Sequence, residues 1–151
     1  MIRSLSALAA SLTLLSACAS NPPATETAAA PAGPADPADC VSGNIDIYFN
    51  QWEYKLTPES RQVIAAAQNK LKGCVIEQVR IVGMADATGD SADNLKVSTQ
   101  RAQEIADALA AGGWPRSKFE LLAAGESGAT VDGVNAPMRR RANVSVVSRA
   151  P

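Results

Sequence analysis

The stretch GMADATG at residues 83–89, followed by NLKVSTQRA at residues 94–102, is the part of this chain around which the rest is organised. Apolar residues alternate before the first segment, which predicts a strand that ends at its first glycine. The second segment begins an apolar repeat of helical period, which predicts a helix. An acid on a loop, Asp86, and a base on a helix, Arg101, are therefore separated by a turn that is able to bring them together.

The same periodicities predict four strands and two helices in the order βαβαββ. Every predicted strand has one apolar face, so both helices are expected on one side of the sheet while the other side is largely solvated. The predicted fold class is α/β (α+β), a two-layer sandwich. The strands are expected at residues 41–50, 75–83, 118–124 and 142–147, and the helices at residues 57–73 and 94–111.

The predicted core lies between these two layers. Arg101 is about 60° from the centre of the buried stripe of its helix, at 100° per residue. It is predicted as a border residue, with its stem against the core and its guanidinium available at the edge. The residues predicted to point inward are Val63, Ile64, Ala67 and Leu71 on the first helix, Ser98, Ala102, Ile105 and Leu109 on the second, and Phe119, Leu121 and Ala123 in the third strand.

The N-terminal segment has the features of a targeting signal. Residues 1–17 have an early arginine and an apolar run too short to remain as a membrane span. The run ends in Leu-Ser-Ala-Cys at residues 15–18, which resembles the lipobox of bacterial lipoproteins. That resemblance implies cleavage before Cys18 and lipidation of this cysteine, and Ala19 after it implies the outer membrane. Residues 18–40, rich in alanine and proline, are expected to form an extended tether.

Two further cysteines, Cys40 and Cys74, follow the tether. Export to an oxidising compartment favours a disulfide between them. Two free buried thiols and a redox pair are the alternatives, although no Cys-x-x-Cys motif supports the latter. A bridge would constrain the unfolded chain by about 3–4 kcal/mol on the loop-entropy account.

Composition excludes several functional classes. The 151 residues carry a net charge of −1, so no general attraction to nucleic acid is expected. The chain contains no histidine, which removes Ser-His-Asp and Cys-His catalysis and the commonest metal ligand. The acids Asp86, Asp90 and Asp93 do not have EF-hand spacing. The chain is therefore predicted to be neither an enzyme nor a metal-binding or cofactor-binding protein.

The opening motif allows two interpretations. Asp86 and Arg101 can form an ordinary salt bridge that holds the loop to the helix, which contributes little when exposed. Alternatively, the guanidinium grips a carboxylate while the aspartate accepts hydrogen bonds from an ammonium group. The second arrangement matches the zwitterionic end of an amino acid.

A family resemblance favours the second interpretation. Gly83-x-x-Asp86-x-x-Gly89, followed by Asn94-x-x-Val97-Ser98-x-x-Arg101-Ala102, resembles the signature of OmpA-like domains, including the peptidoglycan-associated lipoproteins. Further similarity lies in residues 47–49, 56–59, 125–127 and 140–144, so that it extends over about residues 41–149. The resemblance implies an OmpA-like domain with two main helices on one face of a four-stranded mixed sheet.

In that family the aspartate and the arginine grip the diaminopimelate of the peptidoglycan stem peptide. The resemblance implies that Asp86 takes the amine and Arg101 the carboxylate, with Asn94 and Thr88 supporting the loop or ligand. It thereby implies a lipid-anchored protein of the outer membrane, facing the periplasm, that binds peptidoglycan and ties the membrane to the cell wall.

The alternative is an envelope scaffold that contacts other envelope proteins. Met84 and Ala85 stand where the family usually has His-Thr, and Trp52 stands where a polar residue is common. In this alternative, these three residues form a partly apolar contact patch.

Overall fold

The computed structural model describes residues 40–151. The signal segment, Cys18 and the tether up to residue 39 lie outside the described residues. In the described part, no helix is long and apolar enough to cross a membrane. Its regular elements are β1 (Gly43–Tyr48), α1 (Pro58–Lys70), β2 (Val75–Gly83), α2 (Ser91–Ala111), β3 (Phe119–Ala123), β4 (Thr130–Val131), β5 (Val134–Asn135) and β6 (Arg141–Arg149).

The main sheet has four strands in the order β1-β6-β2-β3. The last strand, β6, lies in the middle and pairs antiparallel with both β1 and β2, whereas β2 and β3 are parallel. Both helices pack on one face of this mixed sheet. The predicted two-layer α+β fold is therefore confirmed, and the strand order, which periodicity does not determine, places β2 at the centre.

The open face of the sheet is covered by polar pairs across neighbouring strands. Asn143 donates to Asp46 over 3.0 Å, and Arg80 donates to Glu120 over 2.9 Å. These contacts satisfy side chains that face water, as expected for a sheet with one solvated face. The buried face holds the core, with Ile47, Val79, Ile81 and Val144 from the sheet and Ile105 and Leu109 from α2, all at most 1% exposed.

The helix starts have local capping signals. Thr57 caps α1 by accepting a hydrogen bond from the amide of Ser60, with Pro58 in the first turn. In α2 the cap is Asp90, whose carboxylate accepts from the amide of Asp93. The helix therefore begins at Ser91, one turn before the predicted start at residue 94, because the apolar repeat used for the prediction begins only after the polar first turn.

Two predicted core positions are wrong. Val63 is 42% exposed, because α1 turns Ser60 and Ile64 toward the sheet instead. Leu121 is 39% exposed, since β3 is an edge strand. The predicted stripe of α2 is confirmed in full, with all four residues buried. Residues 125–135 lie outside the predicted strands and helices, yet they contain the β4–β5 hairpin. The Asp-Gly pair at residues 132–133, which is typical of a hairpin turn, indicated it.

Gly83 allows β2 and α2 to approach closely. A Cβ atom at this position would lie 1.9 Å from the carbonyl oxygen of Ser98. The Ser98 side chain is fully buried, donates to the carbonyl of Leu95 and accepts from the amide of Gly125 over 3.0 Å. The end of β2 is consequently held directly against the middle of α2, and this contact fixes where the following loop begins.

A disulfide joins Cys40 and Cys74, whose Cα atoms are 5.6 Å apart. Cys40 is buried and lies three residues before the edge strand β1, while Cys74 immediately precedes the central strand β2. The point at which residues 1–39 join the folded part is therefore covalently linked to the start of β2.

Candidate functional site

The loop after β2 is held at three points, one at the start of β6 and two in the segment between β3 and β6. The amide of Met84 donates to the carbonyl of Arg141 over 2.9 Å, and that of Ala85 to the carbonyl of Gly125 over 2.8 Å. The amide of Ala87 donates to the side-chain oxygen of Asn135 over 3.0 Å. These bonds turn the loop inward, so that the side chains at residues 85 and 86 are buried.

Asp86 lies at the end of β2 and is only 4% exposed. Its Oδ1 accepts from the amide of Thr88 over 3.2 Å, and its Oδ2 lies 3.3 Å from Nη1 of Arg140. The Arg140 side chain is one-third exposed, whereas that of Asp86 is 5% exposed. The cation that pairs with Asp86 is therefore Arg140, and the first interpretation of the motif, an ordinary salt bridge between Asp86 and Arg101, does not describe this structure.

Arg101 is 1% exposed and does not present a free guanidinium at the edge, contrary to the prediction. Its Nε donates to the carbonyl of Glu53, Nη1 to that of Met84 and Nη2 to that of Asn50, over 2.7–3.0 Å. The ring of Phe49 lies 5.0 Å from the guanidinium carbon. The angular position of Arg101 on its helix did not predict that the turn after β1 covers its side chain.

The charges of Asp86, Arg101 and Arg140 influence one another. Burial lowers the pKa of the Arg101 guanidinium to about 10, the Asp86 carboxylate opposes this shift, and Arg140 adds to it. Arg101 therefore remains protonated at neutral pH. One buried carboxylate and two guanidiniums are grouped at the end of β2, although only Arg140 is in direct contact with the carboxylate.

Asn94 supports the helix start from a buried position. It is 1% exposed, and its amide nitrogen donates to Glu126 over 2.6 Å. The hydroxyl of Ser91 donates to the same carboxylate. The bonds from Ser91 and Asn94 lower the pKa of Glu126 below its ordinary value. In this structure Asn94 connects α2 to the turn at residues 125–127.

Thr88 is connected to the rest of the site through Asn135. Its Oγ1 accepts from the Asn135 amide nitrogen over 3.0 Å, and its backbone amide donates to Asp86. Sequence reasoning did not assign Asn135 or Arg140 to the site. A signal for Arg140 existed, because residues 140–144 are part of the family resemblance. Its place beside Asp86, however, depends on the pairing of β6 with β2.

The predicted apolar patch of Met84, Ala85 and Trp52 does not form as a surface. Ala85 is 3% exposed because its amide is bonded to Gly125, which draws it under the loop. Met84 is partly buried, and Trp52 is 46% exposed. Of these three residues, only Trp52 presents a large apolar surface to solvent, and its ring lies against Gly89.

The arrangement is suited to binding charged groups. A buried carboxylate attracts an ammonium group, and guanidiniums bind carboxylates in a bidentate manner. In the described part of the chain, no three His, Cys, Asp or Glu side chains are grouped as metal ligands would be. A cavity of about 290 Å³ lies elsewhere, between β1 and α1, and its lining includes Ile45 and Ala67.

Comparison with known proteins agrees with this fold and motif. The sequence profile of the OmpA family matches residues 48–143, which is more than half of the chain and includes Asp86, Asn94, Arg101 and Arg140. The chain belongs to the OmpA family. Within this OmpA-family domain, the matched region runs from the end of β1 into β6 and therefore includes every residue of the candidate site.

Two lipoproteins are similar in sequence to this OmpA-family chain. It is 37% identical over 81 residues to the lipoprotein YfiB of Escherichia coli (strain K12), covering 53% of this chain and 51% of that protein. It is 31% identical over 78 residues to the outer-membrane lipoprotein YfiB of Pseudomonas aeruginosa, covering 52% and 46%. The chain therefore spans about half the length of each of these relatives.

Solved structures show the same fold. The OmpA-like domain of FopA1 from Francisella tularensis superposes with a TM-score of 0.62 and 28% identity, covering 75% of each chain. The peptidoglycan-associated lipoprotein from Burkholderia pseudomallei gives a TM-score of 0.55 at 21% identity, covering 69% of this chain and 89% of that one. At 21% identity, the second likeness concerns the fold alone.

Proposed function

We propose that this chain is an outer-membrane lipoprotein, lipidated at Cys18, whose domain binds peptidoglycan noncovalently through the diaminopimelate of the stem peptide. The domain faces the periplasm and ties the membrane to the cell wall without catalysing a reaction. The observation that carries this proposal is the grouping of the buried Asp86 carboxylate with the guanidiniums of Arg101 and Arg140 at the end of β2.

The chemistry of the three groups fits one end of diaminopimelate, which carries both an ammonium group and a carboxylate. Asp86 is the acceptor for the ammonium group, because it is the acid among them. Arg101 has five N–H groups, of which three bond to backbone carbonyls, and the others are proposed to bind the ligand carboxylate. Arg140, the more exposed guanidinium, must move or share Asp86 when the ammonium group arrives.

Membership of the OmpA family and the names of the relatives support the placement in the envelope. Both YfiB proteins are called lipoproteins, and one is called an outer-membrane lipoprotein. Cys18 and the preceding signal lie outside the described residues, so their role rests on the lipobox resemblance. The absence of histidine from the whole sequence agrees with a binding function.

The test is co-sedimentation of the purified domain, residues 40–151, with diaminopimelate-containing sacculi. The informative variant is Asp86→Asn, which keeps the shape of the side chain and removes its charge. Losing one partner of a buried charged contact costs about 2–5 kcal/mol, so affinity should fall by at least about tenfold. Sacculi in which lysine replaces diaminopimelate lack the second carboxylate and should also bind more weakly.

Asp46→Asn is the matched control. Asp46 pairs with Arg141 over 3.5 Å on the open face of the sheet, forms no ion pair with Arg101 or Arg140, and undergoes the same chemical change. We expect this variant to sediment like the wild type. Equal sedimentation of wild type, Asp86→Asn and Asp46→Asn would refute the assigned site, and failure of the wild type to bind sacculi would refute the function.

A further inference from the structure

Trp52 occupies a backbone conformation that does not suit it. It is the third residue of a turn in which the amide of Glu53 donates to the carbonyl of Asn50 over 3.2 Å, and its φ is +62°. Glycine and asparagine are the usual residues at such a position, because a bulky side chain is disfavoured in the left-handed region. Strain of this kind is retained mainly where the side chain has a function.

The fold itself does not need an indole at this position. The turn is shaped by Arg101, which donates to the carbonyls of Asn50 and Glu53 on either side of Trp52. These bonds involve backbone carbonyls only. An asparagine at residue 52 would allow the same turn with less strain.

The indole instead lies against the loop that carries the candidate site. A Cβ atom at Gly89 would lie 2.2 Å from Cη2 of the Trp52 ring, so the glycine leaves the space that the ring occupies. Gly89 also has a φ of +84°. Trp52 is nevertheless 46% exposed, which leaves part of the aromatic surface open to solvent beside the loop.

We infer that Trp52 is a ligand-contacting residue of this site, whose indole packs on the C–H-rich part of the peptidoglycan stem peptide. This inference rests on the proposed function. Gly89 follows Asp86 by three residues, which limits their separation to about 11 Å. The methylene chain of diaminopimelate and the methyl groups of neighbouring alanines extend over such a distance from an end held at Asp86.

The indole is able to make the apolar contacts with the ligand that the charged groups do not make. Asp86, Arg101 and Arg140 are assigned to the charged end of the ligand, and their charged groups are not suited to its aliphatic chain. A tryptophan side chain supplies a large, rigid, apolar surface and loses little conformational entropy on binding. Trp52 therefore adds affinity for a ligand in which an aliphatic chain follows the charged end.

The experiment uses a sugar-free stem tripeptide containing diaminopimelate as the probe, with binding measured by calorimetry and stability by urea unfolding. In Trp52→Asn, we expect unchanged or increased stability together with at least a tenfold loss of affinity. Trp52→Phe, which keeps an aromatic ring, should retain most of the affinity. Opposite changes in stability and binding are the signature of a side chain kept for the ligand.

Acrylamide quenching gives a second readout that a purely structural role would not change. The other tryptophan, Trp114, is 7% exposed, so quenching reports mainly on Trp52. The tripeptide should protect the wild-type protein from quenching. Free diaminopimelate should protect it less, because it lacks the rest of the peptide chain.

The outcomes separate this inference from the proposed function. If Asp86→Asn loses the tripeptide while Trp52→Asn binds it as the wild type does, the role of Trp52 is overturned and the function stands. The role of Trp52 is likewise overturned if Trp52→Asn loses stability and affinity together, or loses affinity for intact sacculi but not for the sugar-free peptide. A wild-type protein that binds neither sacculi nor tripeptide overturns both.

Discussion

Oδ2 of Asp86 lies 3.3 Å from Nη1 of Arg140, although the two residues are 54 positions apart in the chain. The pair connects the loop after β2 to the start of β6, and it places a partly exposed guanidinium on the acid that a ligand ammonium group would need. Arg101 lies behind it, held by backbone carbonyls. The loop acid therefore has an intramolecular partner that a ligand must displace or share.

The Asp86–Arg140 pair should show a measurable coupling energy in a double-mutant cycle with Asp86→Asn and Arg140→Gln. We expect about 1 kcal/mol from urea unfolding, because one side chain is buried while the other is one-third exposed and partly screened by solvent. The same cycle with Asp46→Asn and Arg141→Gln, where both side chains are about one-third exposed, should give nearly zero. Additive effects at Asp86 and Arg140 would show that their contact is energetically unimportant.

Arg101→Ala should lower the free energy of unfolding by at least about 3 kcal/mol. It leaves three backbone carbonyls without their donor and opens a cavity beside Phe49. Arg116→Ala is the control, since Arg116 pairs with Asp107 at the surface and should change stability by less than about 1 kcal/mol. Equal stabilities of the two variants would contradict the buried role of Arg101.

Because Arg101 is buried and bonded to the backbone, its substitution changes the fold around the site as well as the charge. Loss of sacculus binding by Arg101→Ala does not by itself assign a ligand contact, because the turn at residues 50–53 loses its donors at the same time. Asp86→Asn is the more informative variant for assigning the ligand contact.

Gly83→Ala should destabilise the domain by about 1–3 kcal/mol, since the added methyl group meets the backbone of Ser98 and α2 must move away. Gly43→Ala is the matched control, because no atom lies within 4 Å of the Cβ position there. Thermal unfolding of both variants measures the difference. A Gly83→Ala protein as stable as Gly43→Ala would show that the helix and strand are not in tight contact.

Removing the disulfide by Cys40→Ala with Cys74→Ala should lower the free energy of unfolding by about 3–4 kcal/mol, because the bridge closes a long loop in the unfolded chain.

The disulfide should also determine which elements bear a pulling force. Force applied through the N-terminal segment should not act on β1 and α1 while the bridge is intact, because both lie inside the closed loop. In single-molecule pulling between residue 40 and the C-terminus, the double variant should release about 110–120 Å more chain for the 34-residue separation. Equal contour lengths in oxidised and reduced wild-type protein would show that no bridge had formed.

Much of the fold was predictable because it depends on local periodicity. Alternation identified the four strands of the main sheet, and helical spacing identified all four predicted core residues of α2. Predictions failed where burial depends on position in the sheet. Leu121 is exposed because β3 is an edge strand, and Val63 is exposed because α1 presents another face to the sheet.

The sequence by itself determined the family, the two-layer fold and the presence of an acid and a base around the loop after β2. Only the tertiary structure decided which base contacts Asp86. Strand order brings Arg140 to the end of β2, and the turn after β1 covers Arg101. The physical reason is that periodicity reports the direction of a side chain relative to its own element. Partners and burial depend on which distant segments pack against that element.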